Sequence, residues 1–399
     1  MESKTTRPRL NIAIITGSFP SATQSYIVAD VCWLSKTGVN VTVVSSDLGD
    51  SAGKQYLSSV SSNAIKQISQ AFYEHSVFNL RFSFFTRKLN RTFDPRVGIR
   101  EAFRRRSFFS KLLPQLASTA PQLIHAHFLE WATVIGLPLS NALQVPLYVT
   151  VHEPPERILK MDGAALVALD SKAMGVIFVG RGQMEAYQNL VGQSDRHYLI
   201  PNALRAEDYS QTRTSNGGGY SQINILLISR LVKDKRVCDI ISALDSLPDY
   251  LEHRVTLKII GDGPERRNLE RMASRTTAFR KICFLGAQPN DKVREELSEA
   301  SLLVHCSENE SFGIVIVEAM MSGTPVIAAG SSGVREISED GRFATIYKPG
   351  DVRALRSSIC EYADNPTHFT KMATLAKGHV LKTYEAQSRY TRLATLLEI

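Results

Sequence analysis

A chain of 399 residues, 43% hydrophobic and 22% charged, is too long for one ordinary hydrophobic core and has a globular composition, so two domains are expected. Its five cysteines, Cys32, Cys238, Cys283, Cys306 and Cys360, are odd in number and contain no CxxC pair, which argues against zinc, redox chemistry or a disulfide framework. The net charge of +8 is concentrated between Arg81 and Lys111, where ten Lys and Arg face two acids, and no RRM, KH or OB signature accompanies it, so nucleic acid is not expected as a partner.

The N-terminus, MESKTTRPRL, is polar, and the apolar run NIAIITGSFP stops at Pro20 before it could form a signal-peptide core. No run of 18 apolar residues follows. A cytoplasmic protein is expected, soluble or peripheral on the inner face of a membrane.

Short β-branched runs alternate with amphipathic, helix-length stretches, the pattern of parallel sheets covered by helices. The predicted strands of the first half are Leu10 to Thr16, Val39 to Ser45, Leu123 to His127, Leu147 to His152, Gly175 to Val179 and His197 to Ile200. The loop from Ser18 to Ser25 is small and polar, and a helix capped near Thr23 should follow, burying Ile27, Val31 and Leu34. Residues 81–111 interleave their basic residues with seven phenylalanines, which suits an anionic bilayer or a phosphate-bearing lipid, and equally a solvated helix face with its rings in the core. His152, at a strand end followed by Glu153, can hydrogen-bond a ligand hydroxyl or be a satisfied structural histidine. Gly217 to Gly219 sit in a polar stretch that reads as a linker, placing the boundary near Arg205 to Ser221.

In the second half the predicted strands are Ile223 to Ser229, Val255 to Ile260, Ile282 to Leu285, Leu302 to Cys306, Pro325 to Ala328 and Ala344 to Tyr347. The fold class is therefore α/β, with two Rossmann-like, doubly wound domains facing across a cleft beyond their strand ends. Past the first of these strands come Arg230 and Lys235, a guanidinium and an ammonium able to grip a diphosphate from two sides. Gly261-Asp262-Gly263-Pro264 forms a tight turn after the next strand.

The strongest signal is SENESFGIVIVEAMMSGTPVIA, from Ser307 to Ala328. Glu310 lies in a loop after a strand, Ser311, Phe312 and Gly313 lead into a helix, and Glu318 lies about one turn inside it. Gly313 permits close backbone approach, and the free amides of the first helical turn suit a diphosphate. One carboxylate can then address a sugar and the other a ribose. From about Thr367 the chain is helical in pattern, with Leu375, Val380, Leu381 and Tyr384 able to form an apolar stripe.

The combination of the two glutamates, the Ser-Phe-Gly turn and the Gly-Thr-Pro-Val-Ile strand resembles the E-x7-E motif of retaining GT-B glycosyltransferases, the family 4-like group of bacterial polysaccharide biosynthesis. The resemblance is firm from Ile223 to Leu355 and loose from Leu10 to Asn202. It implies Arg230 and Lys235 on the donor phosphates, with Ser229 in place of the usual glycine. Ser311, Phe312, Gly313, Ile314, Val315, Glu318 and Gly261 would bind the donor, and Gly286, Ala287 and Gln288 would contact its base through the main chain. Glu310 would lie beside the sugar hydroxyls, with His152 on a donor-sugar hydroxyl. Phe19-Pro20 and Thr23-Gln24-Ser25-Tyr26-Ile27 resemble the FPxxSETFI variant of bacterial exopolysaccharide transferases, which puts Thr23, Gln24 and Ser25 on the acceptor side, and His127, in LIHAHFLEW, matches a family position near the acceptor. Two departures are Ala203-Leu204-Arg205 after Pro201-Asn202, in place of Gly-Val-Asp, and Val334-Arg335-Glu336, which lacks the usual proline.

The domains implied are 1–204 on the acceptor side, 205–375 for the nucleotide sugar, and 376–399 as a helix packing back on the first. The activity implied is retaining transfer of a hexose from a nucleotide-diphosphate sugar, UDP favoured over GDP, to a glycan or lipid-linked acceptor, without a cofactor. The chain has no D-x-D triplet, so protein groups are expected to stabilise the diphosphate without metal. The alternatives are a nucleotide-sugar hydrolase or epimerase, and a noncatalytic nucleotide-sugar-binding or membrane-scaffold subunit. Changing Arg104, Arg105 and Arg106 together to Ser should abolish cosedimentation with anionic liposomes; retained binding would remove the membrane role of this segment.

Overall fold

A computed structural model describes residues 10–21, 24–47, 49–60, 112–209, 222–276 and 281–399. Thr23 and the basic, aromatic segment 81–111 lie outside the described residues. The first sheet contains β1 (Asn11–Ser18), β2 (Asn40–Asp47), β3 (Leu123–His127), β4 (Leu147–Val151), β5 (Gly175–Phe178) and β6 (His197–Leu199), all parallel, in the order β2-β1-β3-β4-β5-β6. The second contains β7 (Ile223–Ile228), β8 (Val255–Ile260), β9 (Ile282–Gly286), β10 (Leu302–His305), β11 (Val326–Ala329) and β12 (Thr345–Tyr347), also parallel, in the order β12-β11-β10-β7-β8-β9. The predicted strands all form, and the two doubly wound domains are those expected.

The cores explain why the strands read as apolar runs. Every residue of β3, β4 and β5 is buried, because helices cover both faces of the sheet. Polar residues inside such strands, here His125, His127 and Thr150, are then conspicuous. On the helix Ser25–Lys36 the predicted inward face of Ile27, Val31 and Leu34 is buried. Of the expected C-terminal stripe Val380 and Tyr384 are buried, but Leu375 is 64% exposed, and the helix Pro366–Thr383 buries Phe369, Ala373 and Ala376 beside Val380. These four recur on one helical face, which Leu375 does not share.

The chain passes from the first domain to the second after Leu204 and returns at Tyr384–Ala386. The two passages are bonded to each other, the Leu204 amide donating to the Tyr384 carbonyl at 3.0 Å and the Ala386 amide to the Leu204 carbonyl at 3.0 Å. Ala376 and Val380 belong to the core of the second domain, so the return lies at Tyr384 rather than at 376. The last helix, Ala386–Leu397, then packs on the first domain. Its Arg389 meets Asp30 at 2.7 Å and also donates to the carbonyls of Ile200 and Pro201, while Tyr390 stacks on Trp33 with centroids 4.7 Å apart. Both charged side chains are enclosed, at 3% and 4% exposure.

Removing one member of an enclosed ion pair leaves the other uncompensated. Arg389→Ala should therefore cost about 3–5 kcal/mol in chemical denaturation, far more than removal of an exposed pair such as Arg342–Glu339.

Candidate functional site

In the second sheet the strand order reverses between β7 and β10, and ligands of such sheets sit in the crevice beyond the strand ends at that point. The loop after β7 carries Arg230 and Lys235, and the loop after β10 carries Glu310. The two loops are tied by the Glu308 amide donating to the Asp234 carbonyl at 3.1 Å. The Gly333 amide donates to the Glu310 carbonyl at 3.1 Å, and any Cβ at Gly333 would fall 2.8 Å from that oxygen. Glycine is thus required where the helix Ser332–Ile337, beyond β11, closes on the Glu310 loop.

The Glu310 carboxylate accepts from Lys235 Nζ at 2.7 Å and from His305 Nε2 at 3.2 Å. Burial opposes its charge, but the His305 and Lys235 contacts prevail and hold its pKa at about 2. Lys235 also donates to Ser307 Oγ at 3.2 Å, leaving one of its three donors unused among these contacts. The Arg230 guanidinium is exposed in the cleft and forms no hydrogen bond or ion pair among the described residues. Arg236 is pinned by Asp239 at 2.8 Å and Glu308 at 3.3 Å.

Gly313 adopts φ of +88° and opens the helix Ile314–Ser322. The amides of Ile314 and Val315 have no acceptor among the described residues, and both residues line the cleft. Inside that helix the buried Glu318 accepts from the Tyr209 hydroxyl at 2.9 Å. Burial is the dominant influence on Glu318, outweighing Tyr209 and Arg294 and raising its pKa to about 7.

The first domain supplies the opposite wall. His152, one residue past β4, packs between the rings of Tyr26 at 4.6 Å and Phe128 at 4.9 Å. Burial holds it neutral, its pKa well below the usual histidine value. Between the walls lies a cleft of about 890 Å³.

Of the residues singled out in the sequence, His152, Glu310, Arg230, Lys235, Ser311, Phe312, Gly313, Ile314, Val315, Glu318, Gly261, Ala287, Gln288, Gln24 and Ser25 line this cleft. His127 does not: it is fully buried behind His152, with Nδ1 3.0 Å from His152 Nε2. Gly286 also lies outside the lining, and Phe312 turns its ring into the core against Tyr384. Gly261, at φ of +134°, is needed by the fold itself, since a Cβ there would lie 1.8 Å from the Ser229 carbonyl oxygen. Tyr26, His305 and Tyr209 are site residues that the sequence reading passed over. His305 could have been found as the polar end of an otherwise apolar strand; Tyr209 carries no local signal. Among the described residues no group of three His, Cys, Asp or Glu is arranged to hold a metal ion, and no helix is long and apolar enough to cross a membrane.

Residues 210–379 match the family described as Glycosyl transferases group 1. The chain is 24% identical over 263 residues to the sulfoquinovosyl transferase SQD2 of Arabidopsis thaliana, covering 61% of this chain and 50% of that protein. It is 26% identical over 189 residues to the N-acetyl-alpha-D-glucosaminyl L-malate synthase of Bacillus anthracis, covering 47% and 49%. The chain thus spans about half the length of these curated relatives. Among solved structures, Anabaena HepE in complex with UDP and glucose superimposes with a TM-score of 0.72 at 20% identity, over 98% of this chain and 100% of that one. The arrangement of two facing parallel-sheet domains is the GT-B fold.

The Glu318 carboxyl has a folded pKa above its unfolded one, so its contribution to stability is complete below about pH 4.5 and is lost as pH rises through about 7. Between pH 5 and pH 8 the wild type should lose about 2–3 kcal/mol relative to Glu318→Gln, measured by denaturation of both at each pH.

Proposed function

We propose that this protein is a retaining glycosyltransferase that moves a hexose from a nucleotide-diphosphate sugar, a UDP-sugar in preference to a GDP-sugar, to a glycan or lipid-linked acceptor in bacterial polysaccharide synthesis. The observation that carries the reading is the convergence, at one reversal of strand order, of an unpaired arginine, a lysine with a spare donor and open helix amides, with two glutamates on the same loop and helix. Cations and amides suit the diphosphate; the carboxylates suit hydroxyl groups. The names and bound ligands of the similar proteins, sugar transferases and a UDP complex, support the same class.

In this reading the diphosphate lies against Arg230 and the Ile314 and Val315 amides, with the spare Lys235 donor beside it. These groups stabilise negative charge as the bond from sugar to phosphate breaks, so a bound metal is not required. Glu310, kept ionised by Lys235 and His305, accepts from hydroxyls of the sugar. His152 meets the same sugar from the first domain, and Glu318 exchanges its Tyr209 partner for a ribose hydroxyl. Glu310 is committed to hydroxyl recognition beside two cationic or proton-donating neighbours, which makes it a poor nucleophile for the anomeric carbon. Attack by the acceptor hydroxyl on the face the phosphate leaves, with the phosphate oxygen taking its proton, then gives retention. The acceptor enters from the side of Gln24, Ser25 and Tyr26.

Thermal stabilisation by UDP, GDP, ADP and their glucose and mannose derivatives tests the donor. One base should raise the melting temperature of the wild type, and Arg230→Ala should weaken that ligand about 10- to 100-fold, the loss of one charge-assisted hydrogen-bonding group. A folded protein that answers to none of them would favour the noncatalytic reading. Turnover of the bound donor to free sugar without any acceptor would favour a hydrolase.

A further inference from the structure

Two histidines on neighbouring strands form a pair whose proton can be placed by elimination. His127 ends β3 and His152 follows β4, and His127 Nδ1 lies 3.0 Å from His152 Nε2. At that distance one nitrogen carries the hydrogen and the other accepts it. Both rings are neutral, since burial drives each well below the usual histidine pKa.

The remaining nitrogen of His127, Nε2, decides which way the bond runs. It is enclosed and has no hydrogen-bond partner among the described residues. If His152 were the donor, His127 would carry its own hydrogen on Nε2, as a buried N–H with no acceptor. If His127 donates from Nδ1, only a lone pair is left unmatched. Orphaned buried N–H groups are the rarer and costlier of the two. The second arrangement therefore prevails, and His152 accepts at Nε2 and carries its hydrogen on Nδ1. That nitrogen has no hydrogen bond among the described residues, is not among the enclosed unpaired atoms, and belongs to a residue of the cleft wall. The flanking Tyr26 and Phe128 rings hold the imidazole in place.

We infer that His127 is a positioning residue that locks His152 in the Nδ1–H tautomer, so that the first domain presents a hydrogen-bond donor to the cleft and selects an oxygen acceptor on the ligand there. His127 acts only through His152, since it does not reach the cleft itself. The consequence for the ligand rests on the function proposed above; the tautomer does not, because it is read in the unliganded protein.

Long-range 1H–15N correlation spectra of protein labelled at its nine histidines give the test, with His152 identified by the signal missing from His152→Ala. The wild type should show a protonated Nδ1 and an unprotonated Nε2 for His152. His127→Asn, which keeps a short donor in place of the ring Nδ1, should preserve that pattern; His127→Leu should mix the two tautomers. If the wild-type His152 carries its hydrogen on Nε2, or if His127→Leu leaves the pattern unchanged, the inference is wrong. The wild-type spectrum alone suffices should His127→Leu fail to fold. Loss of nucleotide binding with the Nδ1–H pattern intact would count against the proposed function and leave the inference standing.

Discussion

A carboxylate taken out of water has to be paired, and the cleft is organised around meeting that demand at Glu310. Its two partners come from different strand ends. His305 closes β10, while Lys235 comes from the loop after β7, so the pairing fixes the two loops at the reversal of strand order relative to each other. Gly333 then lets the helix Ser332–Ile337 close on the Glu310 backbone. Once these contacts are in place, Arg230 remains as uncommitted positive charge beside them, and the helix Ile314–Ser322 begins with its amides toward the same space. The electrostatic character of the donor side follows from one partly buried acid.

The two domains are joined by a double passage rather than a single tether. Leu204 and Tyr384–Ala386 share backbone hydrogen bonds, and the chain beyond them is held by Arg389 in the first domain. A further contact crosses between the lobes where the Arg181 amide donates to Glu336 at 2.7 Å. A relative rotation of the lobes would have to break these contacts, together with those of Val179 and of the helix Arg181–Val191 against the helix Ser332–Ile337, while each sheet keeps its own core.

Much of this was legible in the sequence because parallel sheets buried on both faces write themselves as apolar runs, and because the ligand-facing residues fall at their ends. All twelve strands, the Glu310 to Glu318 spacing and the Arg230–Lys235 pair belong to that local signal. What was not legible involves partners distant in sequence. Lys235 and Glu310 were read as separate functions, one for phosphate and one for sugar, and are bonded to each other across 75 residues. His127 was read as facing an acceptor, yet alternation along a strand cannot distinguish a cleft from the interior when every position is buried. Leu375 shares an apolar helical pattern with Val380 and Tyr384, which are buried, but it lies off the face formed by Phe369, Ala373, Ala376 and Val380 and is left exposed.

The bond from Tyr209 to Glu318 gives the empty cleft a particular energetic character. Tyr209 stands on the short helical turn Ala206–Tyr209, just beyond Leu204 on the passage between the lobes. In the proposed function, a ligand hydroxyl that takes the place of Tyr209 on Glu318 replaces a bond already made, and the contact then contributes selectivity among ligands more than net affinity. It also releases a side chain that pins the interdomain connection. Under that exchange, occupancy of the cleft at Glu318 and freedom of the interdomain connection are two ends of one equilibrium, and whatever holds Tyr209 more firmly on Glu318 weakens such a ligand by the same free energy.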